Sequence, residues 1–446
     1  MKKNFLIAAA VMVTAFLLAT TIAQASDISF SGQFLTRWEV NEQGAGNGAR
    51  DFDDSTDPSD FVATRAVLNT HAKVNDTTSA FIQMQSNRTW GSGVANGGAG
   101  ANNGSFQVND QDSSVGIHQA YFTLKNFANL PVDMQVGKQE IIIDGHRLFG
   151  NTIWTPGKQA HDAVRMDHKH DNLSFTYAWI IGSEAGVNAN TELGQNDTEN
   201  HMLVASYKGI LGGNLSVIYD YMDDVCNGNA SCTDDVANGN EINTIGFRQA
   251  GKLFGIDYRG EYYYQWGSAD EDAQNLEGGT RAVAAGTGVD RDAYMFGVRI
   301  GKAFNNVAMK PSLTLWYDYL SGTSDSDLDT TGDPTYKSFN TLFDTGHKFY
   351  GLMDNYLCIG EGTSACGTNG LGLQDIAIKA KLSPMPGWTL KADYHWLYTA
   401  EGVQGNPGAG VGASVVGDNT GNTGLDSGRS SSLGNELDIT LINKYN

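Results

Sequence analysis

The stretch that decides the fold reads Ile256-Asp-Tyr-Arg-Gly-Glu-Tyr-Tyr-Tyr-Gln-Trp266. Its apolar set is Ile256, Tyr258, Tyr262, Tyr264 and Trp266, and its polar set is Asp257, Arg259, Glu261 and Gln265. Successive side chains of a β-strand point to opposite faces, so this alternation predicts a strand with one apolar and one polar face. In a soluble sandwich the apolar face would lie in the core. In a membrane barrel it would contact lipid while the polar face lined water.

The same alternation recurs along the chain, and the connections between the predicted strands alternate in length. Sixteen strands are predicted near residues 28–40, 61–74, 78–90, 115–125, 131–141, 160–168, 172–182, 200–208, 214–222, 242–249, 254–266, 292–304, 309–320, 373–383, 388–399 and 433–445. Tight turns, such as the one at Asn75-Asp76, alternate with long loops that include 267–291, 321–372 and 400–432. Outer-membrane barrels have short periplasmic turns and long extracellular loops, whereas a sandwich or propeller has no reason to sort its loops this way. We therefore predict an all-β, transmembrane, antiparallel up-and-down barrel of about 16 strands.

The first residues predict export. Lys2 and Lys3 precede a mostly apolar run from Phe5 to Leu18, and Ala23-Gln-Ala25 offers a signal-peptidase site. The run is too short to span a bilayer comfortably. We therefore predict a signal peptide at residues 1–25 and a single barrel domain at residues 26–446.

Composition and charge exclude some classes of protein. The chain has a net charge of −21, and removing a signal with two lysines and no acid makes it −23. Such a balance argues against nucleic-acid binding, which needs a basic surface. The 54 glycines and the 10% aromatic content are typical of a membrane barrel, although they also fit a large secreted β-solenoid.

Three further segments carry a family resemblance. They are Met134-Gln-Val-Gly-Lys-Gln-Glu-Ile-Ile-Ile-Asp-Gly-His-Arg-Leu-Phe-Gly-Asn-Thr-Ile-Trp154 with Asp162-Ala-Val-Arg165, Gly346-His-Lys-Phe-Tyr-Gly-Leu-Met-Asp354, and Leu433-Gly-Asn-Glu-Leu-Asp438. Together they resemble the alginate-export family of outer-membrane porins, with its V-G-[RK]-Q-E strand, its D-x-R-L-x-G loop, its G-H-x-F-x-G-x-x-D segment and its L-G-x-E-L-D strand. The resemblance implies an outer-membrane channel for hydrophilic, anionic solutes such as uronate oligo- or polysaccharides, passed through an arginine-lined constriction.

The resemblance also implies a barrel of eighteen strands, two of them after the L-G-x-E-L-D strand. The sixteen strands predicted here end at Asn443-Lys-Tyr-Asn446, which is typical of the start of a turn. The chain would then be either a sixteen-stranded barrel with an unusual end or a barrel without its last hairpin. Periodicity does not decide between the two.

Odd and even positions of a strand lie on opposite faces, and this strand parity predicts that nine basic residues face the lumen. They are Arg37, Arg65, Arg165, Arg248, Arg259, Arg299, Lys379, Lys381 and Lys391. The same parity turns a set of acids inward: Glu39, Asp257, Glu261, Asp318, Asp375, Asp393, Glu436 and Asp438. Two interpretations follow. The basic residues either select anions in the pore or form a ladder of cross-strand ion pairs that stiffens its wall.

Four cysteines form two close pairs in predicted extracellular loops, Cys226 with Cys232 and Cys358 with Cys366. An exported chain meets an oxidising compartment, so we expect disulfides. Four cysteines allow three connectivities, and the sequence does not decide among them. We expect no metal, because a site would need more nearby ligands, and no cofactor.

No catalytic motif is evident: the sequence has no G-x-S-x-G elbow, no P-loop and no haem-attachment motif. The chain is therefore expected to be a channel and not an enzyme, with outer-membrane lipid, lipopolysaccharide and a hydrophilic solute as its partners. A monomer is favoured over a trimer. The alternatives are a scaffold barrel for a periplasmic partner and a hydrolase barrel with a site at its rim.

Overall fold

The computed structural model describes most of the chain outside the leader and the longest loops. The described residues are 27–41, 59–90, 115–155, 157–183, 198–224, 240–269, 289–324, 327, 334–354, 356, 368, 370–403 and 430–445. Among them, no helix is both long and apolar enough to cross a membrane. The four cysteines, the leader and its cleavage site lie outside the described residues.

Strands dominate the described chain. They are β1 (Asp27–Asn41), β2 (Ser59–Lys73), β3 (Thr78–Thr89), β4 (Val115–Leu124), β5 (Asp133–Gln139), β6 (His161–His170), β7 (Leu173–Ser183), β8 (Thr198–Lys208), β9 (Gly213–Asp224), β10 (Asn240–Leu253), β11 (Ile256–Ala269), β12 (Val289–Ala303), β13 (Ser312–Leu320), β14 (Thr335–Tyr336), β15 (Leu373–Leu382), β16 (Trp388–Val403) and β17 (Ser430–Asn443). Short 3₁₀ turns lie at Phe127–Asn129, Ile210–Gly212 and Gly346–Lys348. The all-β prediction is confirmed.

All the strands belong to one sheet. Sixteen of them form an antiparallel meander in chain order, each paired with its neighbours from β1 to β17, with β13 paired directly to β15. These are the sixteen predicted strands. The seventeenth, β14, has only two residues and pairs in parallel with β12. It was not predicted, because two residues are too few to show a period. Among the described residues, β1 pairs only with β2 and β17 only with β16.

The two faces of the sheet differ as the alternation predicts. On β1, the apolar side chains of Phe30, Phe34 and Trp38 are about 70% exposed, at 69%, 73% and 69%. On β2, Arg65 lies on the opposite face and is only 2% exposed. An exposed apolar face over the whole sheet is what a lipid-facing surface requires.

Short turns join the strands at one end of the sheet. They lie at residues 74–77, 125–132, 171–172, 209–212, 254–255, 304–311 and 383–387. Asp171, Leu211 and Phe254 have positive φ angles there, which tight reversals of the chain often require. At the other end of the sheet, longer stretches of sequence separate consecutive strands, so the described strands have the alternation of connection lengths that the sequence predicted.

The sheet curves around two segments that fold inside it. We call residues 140–160 the first inner segment and residues 334–354 the second inner segment. The first receives hydrogen bonds from β2 and β9, through Arg65 and Ser216. The second donates one to Glu436 of β17, from the backbone nitrogen of Met353 at 2.8 Å. Strands far apart in the sheet therefore contact the same two segments, as the wall of a barrel does.

Candidate pore constriction

The two inner segments are joined to each other. The backbone nitrogen of Phe343 donates to the carbonyl of Leu148, and the nitrogen of Gly150 donates to the carbonyl of Phe343, both at 2.8 Å. Side chains of both segments and of the inward wall form one buried apolar cluster. Its members include Ile141, Phe149, Phe339, Phe349 and Tyr350 from the segments and Ile180, Met202, Met295 and Leu320 from the wall. This packing fixes the segments as parts of the barrel interior.

Arg147 is the main polar tether of the first inner segment. It is 1% exposed, and its Nη2 donates to Glu261 Oε1 of β11 at 3.0 Å and also to Asp318 of β13. Its Nη1 donates to the hydroxyl of Tyr350 at 3.0 Å, and its guanidinium lies 3.8 Å from the centre of the Phe349 ring. Burial alone would lower the pKa of Arg147, but the two carboxylates outweigh burial and raise it, so the side chain is a permanent cation.

Three predicted lumen arginines surround this tether. Arg299 lies 3.4 Å from Asp318, and Arg248 lies 3.7 Å from Asp144 of the first inner segment. The guanidinium of Arg259 lies 5.4 Å from the centre of the Trp316 ring. These arginines and their acids form a mixed cluster, which is the arrangement that the ion-pair interpretation describes.

A second cluster anchors the start of the first inner segment on Glu140. Its carboxylate accepts hydrogen bonds from Asn151 at 2.7 Å and Lys158 at 2.9 Å, and it lies 3.1 Å from His118 Nε2 on β4. Burial alone would raise the pKa of Glu140, but these three partners outweigh burial and lower it to about 2. The carboxylate is therefore ionised at neutral pH.

A cavity of about 700 Å³ lies beside the inner segments. Its basic lining side chains are Arg37, Arg65, Lys348, Lys379 and Lys391, and its acidic ones are Asp393 and Asp438. The lining therefore has a formal excess of three positive charges. Four of these five basic residues were predicted from strand parity. They come from β1 and β2 near the start of the chain and from β15 and β16 near its end.

The predicted cations of the cavity are held in different ways. Arg65 donates to the carbonyls of Ile153 and Thr155, at 3.0 and 3.1 Å. Arg37 pairs with Glu39 at 2.9 Å. Lys379 lies 3.4 Å from Asp393 on the neighbouring strand. Backbone carbonyls do not neutralise a cation as a carboxylate does, so these contacts leave the positive charge of Arg65 in the cavity wall.

Trp154 forms part of the cavity wall. Its ring lies parallel to the ring of His347, with centres 4.0 Å apart and an interplanar angle of 7°. The guanidinium of Arg37 lies 4.7 Å from the centre of the same ring, and its Nη1 donates to the carbonyl of Trp154 at 3.0 Å. The contact joins β1 to both inner segments.

Lys348 was not predicted, because it lies in a long loop where strand parity has no meaning. No carboxylate of a described residue lies within 4 Å of its amine. Burial lowers the pKa of Lys348, and the neighbouring cations Arg259 and Arg248 lower it further. Lys348 therefore brings an uncompensated positive charge into the cavity. Arg147, Trp154 and His347 were missed for the same reason. All four lie in the segments that carry the family resemblance, which is the only sequence signal that could have marked them.

Two of the predicted basic residues lie away from both the Arg147 tether and the cavity. Arg165 pairs with Asp167 on its own strand, at 2.8 Å from Nε to Oδ2. Lys381 is exposed near the short turn at 383–387. Among the described residues, no group of three or more His, Cys, Asp or Glu side chains could hold a metal ion. The disulfides remain a prediction.

A single antiparallel meander with an exposed apolar face, short turns at one end and inward-folded segments defines an outer-membrane porin. The particular family follows from the sequence: the pattern described as "Alginate export" matches residues 28–445, nearly the whole chain. The chain belongs to this family, and it is an outer-membrane channel in fold and family. The resemblance noted in the sequence is confirmed.

Solved structures with a similar fold are porins of low sequence identity. OccD3 (OpdP) of Pseudomonas aeruginosa has a TM-score of 0.46 and 11% identity over 94% of this chain and 82% of that one. OccAB4 of Acinetobacter baumannii has a TM-score of 0.45 and 14% identity over 85% and 84%. OccK2 (OpdF) of Pseudomonas aeruginosa, solved in complex with glucuronate, has a TM-score of 0.45 and 8% identity over 85% and 83%. No curated protein matches the chain.

Proposed function

We propose that this chain, located in the outer membrane, passes hydrophilic anions, with uronate-type saccharides as its solute class. The observation that supports this most directly is the charge of the cavity. Its lining has five basic and two acidic side chains, although the chain as a whole has a net charge of −21. Positive charge is thus concentrated where a solute would pass.

The types of the basic residues fit a carboxylate solute. Arg65 is held in place by backbone carbonyls, so it adds a fixed positive charge to the cavity wall. Lys348 and Lys391 lack a carboxylate partner within 4 Å among the described residues, and each adds a movable charge. In a cavity with protein walls, such charges act with less screening than in bulk water.

Planar-bilayer recordings test the proposal. In a salt gradient we expect a reversal potential that shows anion preference, and a lower preference in K348Q/K391Q. Lys302→Gln is the matched control, because Lys302 lies on the outward face of β12, away from the cavity. Cation preference of the unmodified channel would contradict the proposal.

Solute class is tested by channel block. Trigalacturonate should interrupt the current of the unmodified channel, and a neutral trisaccharide of similar size should not. The K348Q/K391Q channel should be blocked less often at the same trigalacturonate concentration. Equal block by the charged and neutral sugars would rule out selection for uronates.

A further inference from the structure

Every short turn has a lysine within it or within three residues of it. We define the turn rim as the seven short turns with three residues on either side of each, together with residues 27–29 and 441–445. The rim contains nine lysines: Lys73, Lys125, Lys169, Lys208, Lys252, Lys302, Lys310, Lys381 and Lys444. It contains five aspartates, Asp27, Asp76, Asp133, Asp171 and Asp257, and neither arginine nor glutamate. One end of a strongly acidic chain is therefore positively charged.

Most of the strand lysines of the rim share the inward parity. On β8, Lys208 has the parity of the buried Met202 and Val204, whereas Leu203 and Tyr207 are exposed on the other face. On β15, Lys381 has the parity of the buried Asp375. Lys73, Lys169 and Lys252 follow the same rule on their own strands. The lysines therefore surround the short-turn mouth of the barrel and do not face lipid.

Lys302 is the exception. It has the parity of Val298 and Ile300, which are exposed on the outward face of β12. Its amine lies 5.5 Å from the centre of the Phe304 ring. This geometry suits a lysine at the level of lipid head groups, so Lys302 serves as an internal contrast to the others.

Few of these lysines have an acidic partner. Lys73 pairs with Asp76 at 2.8 Å and Lys252 with Asp257 at 3.1 Å. For the other seven, no carboxylate of a described residue lies within 4 Å. Lys381 even lies directly opposite Lys391 in the pairing of β15 with β16. Like charges in directly opposed positions destabilise a sheet, so this pair in particular favours a bound anion.

We infer that the inward lysines of the turn rim form a capture ring for anionic polymers at the short-turn mouth. Flexible ammonium groups act as point charges without fixed geometry, which suits a polymer that slides past them. An acidic protein partner is less favoured, because lysine is depleted in the cores of protein interfaces. The inference rests on the proposed function for the identity of the polymer, but the ring itself depends only on charge.

Side-resolved channel block tests the ring. Trigalacturonate and dextran sulfate are added in turn to each side of a bilayer that contains one channel. We expect faster block from one side at low salt, by roughly tenfold, because electrostatic steering raises association rates. The triple variant K169Q/K208Q/K381Q should lose most of that difference on the fast side only, and K302Q should keep it. Raising the salt concentration should abolish the difference in the unmodified channel.

The outcomes separate the ring from the proposed function. Equal block from both sides, or a fast side unchanged in the triple variant, would overturn the ring and leave an acidic protein as the partner of the turn rim. Fast one-sided block by dextran sulfate without block by trigalacturonate would support the ring and contradict the uronate proposal. Unchanged strand content by circular dichroism and an unchanged rate of block on the slow side show that the triple variant folds.

Discussion

At the scale of single residues, Arg147 shows how a loop becomes part of a barrel interior. Its guanidinium connects the first inner segment to two wall carboxylates and to Tyr350 of the second inner segment. Taking a charge out of water is costly unless partners surround it, and here acids, a hydroxyl and an aromatic ring do so. The tether therefore depends on partners from both the wall and the second inner segment.

Replacing Arg147 should destabilise the folded protein strongly. In Arg147→Met, Glu261 and Asp318 remain buried and lose the cation that donates to both, while Arg299 stays 3.8 and 3.4 Å from them. Removing one partner of a buried pair costs about 3–5 kcal/mol. Urea unfolding in lipid vesicles, followed by tryptophan fluorescence, measures the change. R147M/D318N should recover part of the loss, since one buried carboxylate is then neutral. A loss below about 1 kcal/mol in R147M would show that the tether is dispensable.

Glu140 makes the stability of the first inner segment depend on pH in the acid range. Its folded-state pKa of about 2 lies below its ordinary value of 4.5, so its contacts stabilise the first inner segment above about pH 4.5. That stabilisation is lost as the pH falls from 4.5 towards 2. Protease sensitivity of residues 140–160 should rise over this window in the unmodified protein.

Glu140→Gln should remove that pH dependence, because a neutral amide has no proton to gain. Glu199→Gln is the control: Glu199 is a glutamate on β8 whose side chain is about half exposed, at 49%. It should leave the transition in place. The same transition in E140Q as in the unmodified protein would assign it to another group.

At the residue scale, the sequence predicted which wall residues face inward but not which loop residues contact them. The alternation of side chains along a strand can be read from consecutive residues, so it placed Glu261 and Asp318 on the inward face. The residue that contacts both, Arg147, lies 114 and 171 positions away from them in sequence. Loops carry no period, so nothing in the sequence pattern indicated that this loop folds inward.

At the scale of elements, each strand separates a lipid-facing set of side chains from an inward set. On β1 the neighbours Phe34 and Leu35 illustrate the separation: Phe34 is 73% exposed on the apolar outer face, and Leu35 lines the cavity. Alternation alone also fits a soluble sheet, but an apolar face that is exposed on the outside of the sheet is expected where that face meets lipid. The sixteen long strands were predicted for this reason, while β14 and the inner segments were not.

A matched pair of lysine substitutions tests the orientation of β1. Phe34→Lys should destabilise the barrel in a bilayer by about 2–4 kcal/mol, the cost of lysine on the lipid face near the midplane. Leu35→Lys should cost far less, because its amine would enter the polar cavity, and it should increase the anion preference. Unfolding in lipid vesicles compares the two variants. Equal losses in both would show that the faces are assigned wrongly.

At the scale of the whole molecule, positive charge has two forms. Arginines held by carbonyls and carboxylates lie in the interior, where planar donors suit fixed contacts. Lysines lie around the short-turn mouth, where movable charges suit a first encounter, and seven of the nine have no carboxylate of a described residue within 4 Å. The acidic remainder of the chain contrasts with both regions, so net charge alone says little about what the channel admits.

The second inner segment should control both the width and the selectivity of the channel. It supplies Lys348 and His347 to the cavity and covers inward apolar side chains such as Met295 and Leu320. Replacing residues 340–352 by a short Gly-Ser linker should raise single-channel conductance, because the space that the segment fills becomes available to ions. It should also lower anion preference, since the Lys348 charge is lost.

The K348Q variant separates these two effects. It should lower anion preference with little change in conductance, because a glutamine occupies nearly the same volume as the lysine. The linker variant should also unfold at lower urea concentration, because apolar wall residues that the segment buried would meet water. An unchanged conductance in the linker variant would show that solutes bypass the second inner segment, and the path through the barrel would then have to be sought elsewhere along its wall.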